Sequence, residues 1–311
     1  MLAVIAITAP IFILIALGYG AVRFRLMPAE AVPGMGRFVL YFAMPALIFH
    51  TLSGLSVGQV IEPGYMLAYA GGSLLLLILG LILTLKVLNN EAVLGALKSM
   101  GMVVPNSAFF GYPVLLQVFG EPPARAFALA LLVENLLIIP LALAVLEFNA
   151  HRGQGGSFGK ALLGLPARVL RNPLVLAIAA GILASALNLA LPQAMATSLE
   201  LLGRASAAVA LFVIGGSLVG SPVRGNLAGM GTVMVGKLVA HPLLVALMVW
   251  WLPPFDPQLQ LAVILMAAMP MMSIYPIIGG QYGQRSFAAG TLLLTTAAAF
   301  VSLSVILLLV R

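Results

Sequence analysis

Charge is what this 311-residue chain has least of: Asp, Glu, Lys and Arg together make up 7% of it, against about 25% in an ordinary soluble domain. With 62% hydrophobic residues, too few polar side chains remain to cover a water-facing surface. The chain is therefore read as an all-α polytopic membrane protein. Cysteine is absent, which excludes disulfides, thiol catalysis and cysteine-ligated zinc. The single aspartate, Asp256, lies in a loop, so the paired membrane aspartates of intramembrane proteolysis are missing. No His-Glu-x-x-His or Gly-x-x-x-x-Gly-Lys-Ser/Thr pattern occurs, which leaves zinc-helix enzymology and ATP-driven work without a foundation. No cofactor is called for. A basic stripe with interleaved aromatics is also lacking, and the net charge of +7 is read as membrane topology, with no nucleic-acid partner.

Apolar runs of about 20 residues, the length that crosses a bilayer, cover roughly 2–22, 36–54, 64–86, 98–119, 124–147, 172–191, 200–221, 228–252, 258–282 and 287–310. That makes ten spans, five in each half. The loops after the odd-numbered spans hold Arg23, Arg25, Arg37, Lys86, Lys98, Arg152, Lys160, Arg168, Arg171, Arg224 and Arg285; the other side has only Arg125, Arg204 and Arg311. By the positive-inside rule both termini are expected outside the cytoplasm, and the first span is read as a retained helix. Residues 1–148 form the first half and 172–311 the second. A Gly-rich, basic cytoplasmic linker at 149–171 joins them and is expected to touch lipid headgroups.

Two hydrophobic segments match across the halves. Tyr112-Pro113 to Phe119-Gly120 and Tyr275-Pro276 to Tyr282-Gly283 lie 163 residues apart, and the same offset superimposes Pro10 on Pro173 and Gly18 on Gly181. Ala46-Leu47 falls on Ala210-Leu211 one residue out of that register. A duplicated half with an odd number of spans must enter the membrane from the opposite side, which makes the two repeats inverted, a carrier architecture. Proline within a membrane helix removes an N–H and frees a carbonyl one turn back, here at Phe109 and Met272, and lipid can hydrate neither group. Helix interruptions are thus expected at these prolines, with polar groups close by.

The fourth span reads Val104-Pro105-Asn106-Ser107-Ala108-Phe109-Phe110-Gly111-Tyr112-Pro113. Its Asn-x4-Gly-x-Pro spacing, with Met44-Pro45-Ala46-Leu47-Ile48-Phe49, Arg171-Asn172-Pro173-Leu174 and Ala210-Leu211-Phe212-Val213-Ile214-Gly215-Gly216-Ser217-Leu218, resembles the auxin efflux carrier family, including its bacterial malonate- or malate-type permeases. The resemblance covers nearly the whole chain. It implies a ten-helix inverted-repeat fold similar to the bile-acid sodium symporters, with spans 4 and 9 interrupted and crossing at the bilayer centre. It also implies a substrate-contacting role for Asn106 and a crossover role for Pro113 and, in the second half, for Pro276 and Gln281-Tyr282-Gly283. A lysine that plant carriers tend to have near Gln281 is absent here. The short linker favours a prokaryotic inner-membrane carrier of small metabolites.

Half-helix N-termini meeting at a crossover attract an anion such as a carboxylate, and carbonyls at the opposed ends can hold a cation or a proton donor. Substrate contacts are expected at Asn106, Ser107, Gly111, Pro113, Ser273, Tyr275 and Pro276, the glycine by permitting close backbone approach. Ionisable groups deep in the spans are few and costly. Glu134, beside Asn135, could take up a proton or help bind a cation. Lys237 and His241 share a helix face and could draw an anion or pair with Glu134. His50 reads as a helix contact, and Lys86, Lys98 and Glu147 as charges at span ends. The expected function is secondary transport of a small organic anion, driven by its own gradient or by protons or sodium. A sodium symporter of a bulkier amphipathic anion and a channel-like protein or receptor are the alternatives. The small-residue face Gly215-Gly216-x-x-x-Gly220 allows close packing, within the chain or in a homodimer.

Overall fold

The computed structural model describes residues 2–55, 61–120, 123–150, 171–189, 191–220 and 225–310. Most of the linker, residues 151–170, lies outside them. The described residues form helices α1 (Leu2–Arg23), α2 (Ala31–Ser53), α3 (Pro63–Val87), α4 (Ala92–Val103), α5 (Ser107–Phe119), α6 (Ala124–Ala150), α7 (Pro173–Ala186), α8 (Gln193–Ser217), α9 (Leu227–Trp251), α10 (Pro257–Ala267), α11 (Tyr275–Gln281) and α12 (Arg285–Val310). Among these residues there is no strand, only one isolated antiparallel bridge. Seven helices, α1, α2, α3, α6, α8, α9 and α12, are long and apolar enough to cross a membrane. The apolar runs 98–119 and 258–282 are each divided in two, and neither α4, with 12 residues, nor α10, with 11, spans about 30 Å of hydrocarbon at 1.5 Å per residue.

Helix starts follow local chemistry. Asn172 accepts a hydrogen bond from the Leu174 amide at 2.9 Å with Pro173 in the first turn, and Asp256 caps α10 the same way ahead of Pro257. The lone aspartate is thus a cap, satisfying an N–H that the first turn leaves orphaned. Four prolines within helices share a signature that Pro10, inside α1, lacks. The hydrogen-bond ladder widens to five residues over Val39–Ala43, Ser107–Gly111, Glu134–Ile138 and Gly236–Ala240, each stretch ending two residues before Pro45, Pro113, Pro140 or Pro242. A wider turn moves the carbonyl four residues back away from the proline ring. The fifth widened stretch, Ile82–Val87, has no such proline; there the Thr84 hydroxyl donates to the Gly80 carbonyl at 2.8 Å and loosens the ladder itself.

The chain packs as two compact units, Met1–Pro63 with Ser107–Leu131 and Leu170–Val219, and Gly64–Asn106 with Leu132–Val169 and Gly220–Arg311. Each draws on both halves of the sequence. In unit 1, α1 lies along α8, which also packs on α2, and α7 packs on α2. A Cβ on Gly18 would overlap the Phe212 carbonyl, and one on Gly215 the Ile15 carbonyl. The small-residue face of α8 is therefore used inside the unit, bringing two backbones into contact. In unit 2, α4 packs on the second half of α6 and on α9, α9 on α10 and α12, and α11 on α12. Large apolar side chains such as Leu17, Leu79, Leu243, Val301 and Trp250 point outward, while Ser73, Lys98, Asn106, Glu134, Lys237 and His241 are buried. Apolar outside and polar inside is the arrangement of a multi-pass membrane protein.

Gly215→Val should lower thermal stability in detergent by about 1–3 kcal/mol, the usual cost of overpacking a tight contact. A melting curve unchanged from the natural sequence would show that α1 and α8 can part without loss.

Candidate functional site

Between α4 and α5 the chain unwinds over Val104–Asn106, and between α10 and α11 over Ala268–Ile274. The interruptions fall at Pro105 and Pro270, upstream of the prolines expected to make them. Pro113 is absorbed by the widened turn at the start of α5, and Pro276 is the second residue of α11, where its missing N–H would have had no partner in any case.

In unit 2 the unwound segments pair with each other. Asn106 N donates to Pro270 O at 2.7 Å and Met272 N to Val104 O at 3.3 Å, flanking the antiparallel bridge Pro105↔Met271. Pro105 occupies a position of this ladder that needs no donor, so its lack of an N–H carries no penalty. The Asn106 amide, 5% exposed, donates to Ser273 Oγ at 2.7 Å. Two residues named from sequence, 167 apart, thus meet. Asn106 Oδ1 and the Ser273 hydroxyl proton are left as an acceptor and a donor for a ligand. Tyr275, fully buried, spends its hydroxyl on the Leu97 carbonyl at 2.9 Å and packs against Gly101. Pro276 is half-buried and Gln281 exposed. Ser107, Gly111 and Pro113 belong to unit 1, all buried on α5.

A second polar cluster in unit 2 gathers the deep ionisable residues. Glu134, 3% exposed, accepts a 2.6 Å hydrogen bond from Tyr69 and opens the widened turn of α6, with half-buried Asn135 next to it. Lys237, within the widened turn of α9, is fully buried; its Nζ lies 2.7 Å from His241 Nδ1 and 2.8 Å from the Ala267 carbonyl. Ala267 is the last residue of α10, so the ammonium satisfies an orphaned carbonyl at the negative end of a half-helix dipole. On its other edge, His241 Nε2 lies 2.8 Å from Ser73 Oγ, so lysine, imidazole and hydroxyl form one hydrogen-bonded chain. The Tyr69 ring stacks on His241 at 6.1 Å. Sequence reading missed Tyr69 and Ser73, although Tyr65, Tyr69 and Ser73 recur every four residues on an otherwise apolar helix, a legible stripe. Lys98, read as a span-end charge, is instead 2% exposed and held by Asn90 at 2.6 Å.

Paired unwound segments, buried polar clusters and apolar outer faces define a helical membrane protein built around interrupted helices. Residues 3–307 match the model of the family described as "Membrane transport protein", and the chain belongs to that family, the auxin efflux carriers that the fourth span resembles. It is also similar to a protein of Rhizobium meliloti (strain 1021) named "Putative malonate transporter", with 28% identity over 315 residues that cover 100% of this chain and 97% of the relative.

Lys237→Met keeps the bulk but removes the donor to Ala267 and His241. It should destabilise the protein by about 1–3 kcal/mol, the cost of buried polar groups left unpaired, read as a lower thermal midpoint; an unshifted midpoint would show that the carbonyl at the end of α10 needs no cation.

Proposed function

We propose that this protein is a secondary active carrier of a small organic anion, most simply a mono- or dicarboxylate, working by alternating access around the paired unwound segments. The observation that carries this reading is the Asn106–Ser273 contact beside two backbone-paired helix interruptions. Such irregular backbone is tolerated at membrane depth only where protein or a cavity satisfies it. Counting α4 with α5, and α10 with α11, as single interrupted crossings turns the twelve helices into ten spans, five per half. That count supports two inverted repeats, residues 1–148 and 172–311, joined by the cytoplasmic linker 149–171. The distribution of Lys and Arg supports termini outside the cytoplasm in a prokaryotic inner membrane. The relative's printed name, a malonate transporter, agrees with a carboxylate as cargo.

In this reading Ser107 offers a hydroxyl, Gly111 allows close backbone approach and Pro113 fixes the backbone in unit 1, while Tyr275 and Pro276 fix it in unit 2. Glu134, Asn135, Lys237 and His241 form the coupling group. Proton coupling is favoured over sodium because the Ala267 carbonyl, the kind of half-helix end that would ligate a sodium ion, already receives Lys237. A sodium symporter of a bulkier amphipathic anion is the alternative within the carrier class. A channel or receptor is the alternative outside it.

Counterflow of labelled malonate, malate and several monocarboxylates in proteoliposomes tests the reading. Saturable exchange is expected for the natural sequence and its loss in Asn106→Ala; conductance without counterflow would point to a channel, and binding without flux to a receptor. Glu134→Gln should abolish concentrative uptake yet spare exchange, since exchange needs no net proton movement. Accumulation that persists in that variant would remove Glu134 from coupling.

A further inference from the structure

The polar stripe on α3 has three members, and the cluster in unit 2 uses two of them. Tyr69 donates to Glu134 at 2.6 Å, and Ser73 meets His241 at 2.8 Å. Tyr65 is fully buried as well, yet its hydroxyl has no hydrogen-bond partner in the protein. A buried hydroxyl left unbonded is costly, and groups of this kind are where internal waters are held.

Tyr65 lies beside the acid and nearer the end of its helix. Its ring packs edge-on against Tyr69, with centroids 6.2 Å apart, and the charge of Glu134 acts on its hydroxyl. It is the third residue of α3, at the end expected outside the cytoplasm, and Tyr69 stands about 6 Å deeper along the helix. The Phe255 ring lies against Gly64 at the same end. The other buried titratable groups of unit 2 are already engaged. Lys237 and His241 on α9 bond each other, with Ala267 and Ser73 as further partners. Lys98 on α4 is held by Asn90, and Tyr275 on α11 by the Leu97 carbonyl. Of these groups, Tyr65 is the one whose hydroxyl the protein leaves unbonded.

We propose that Tyr65 holds an internal water against Tyr69, and that water and tyrosine together form the route by which a proton passes between the non-cytoplasmic side and Glu134. A protonated water gives one proton to the Tyr69 oxygen while the Tyr69 hydroxyl proton moves along its 2.6 Å bond to the carboxylate. One O–H bond forms for each that breaks, and neither tyrosine keeps a charge. The reverse sequence releases the proton. The inference rests on the proton-coupled carrier reading and adds to it a path and a side of entry.

Uptake of labelled malonate into proteoliposomes under an imposed pH gradient, set against counterflow at equal pH, tests this with the full-length chain. Tyr65→Phe should slow gradient-driven uptake about tenfold more than counterflow, the rate equivalent of one lost buried hydrogen bond. Its solvent deuterium isotope effect should rise, because proton delivery then limits the rate. Tyr69→Phe should show the same split. A merely structural role would slow both fluxes alike and leave the isotope effect where it was, which would overturn the route. The thermal midpoint gives a second, independent sign. Removing a hydroxyl that holds a water should lower it, whereas removing one that is simply unpaired should raise it; a raised midpoint with an unchanged flux ratio would overturn the proposal. Counterflow by the natural sequence with no gradient-driven uptake would overturn proton coupling and this inference with it, while gradient-driven uptake that persists in Tyr65→Phe would overturn this inference alone.

Discussion

A peptide group in hydrocarbon has no water to turn to, and the two helix interruptions are possible because they satisfy each other. Asn106 N to Pro270 O and Met272 N to Val104 O are only two hydrogen bonds, yet they replace what two broken ladders have lost. Much of the geometry of unit 2 follows from this pairing. It sets Asn106 where its amide reaches Ser273, and it ends α10 at Ala267, so that an unpaired carbonyl faces the interior and Lys237 meets it. An asparagine and a lysine, residues that a membrane helix normally excludes, are thereby given partners that only a broken helix can offer.

Apart from starting helices, proline has two uses that bear on the breaks and widened turns. Pro105 lies in the unwound backbone itself, at a ladder position that requires no donor. Pro45, Pro113, Pro140 and Pro242 lie inside continuous helices, each two residues beyond a widened turn. Glu134 begins one such turn, and Lys237 and His241 sit within and just after another. Such turns often accompany functional residues, because the altered ladder turns side chains away from their ordinary 3.6-residue stations.

These two uses explain what could be read from residues alone. Apolar runs and the 163-residue register located the helices and the divided segments, since both depend on composition and local spacing. The positions of the breaks were misread because Pro113 and Pro276 match across the halves more conspicuously than Pro105 and Pro270, and sequence does not reveal whether a helix will absorb a proline by widening a turn. Asn106 and Ser273 were legible as polar groups near those breaks, but not as mutual partners. The stripe of Tyr65, Tyr69 and Ser73 marks a polar helix face in the sequence, but spacing does not show that an acid and an imidazole meet it.

Within each unit, small residues and buried polar groups contribute in different proportion. Glycine makes close contacts in both, Gly18 on Phe212 and Gly215 on Ile15 in unit 1, and Gly72 on Val245 and Gly236 on Met102 in unit 2. In lipid the hydrophobic effect does not draw helices together, so close van der Waals packing has to. Unit 2 holds most of the buried polar side chains, among them Ser73, Thr84, Lys98, Ser99, Asn106, Glu134, Lys237, His241 and Thr291. Contacts between small residues tolerate little change of position, because a shift of a fraction of an ångström forfeits much of the dispersion energy. Hydrogen-bonded hydroxyl, imidazole, carboxylate and ammonium groups can exchange partners and protons while staying satisfied. Unit 2 therefore concentrates the buried groups that can exchange hydrogen-bond partners, while unit 1 holds fewer of them.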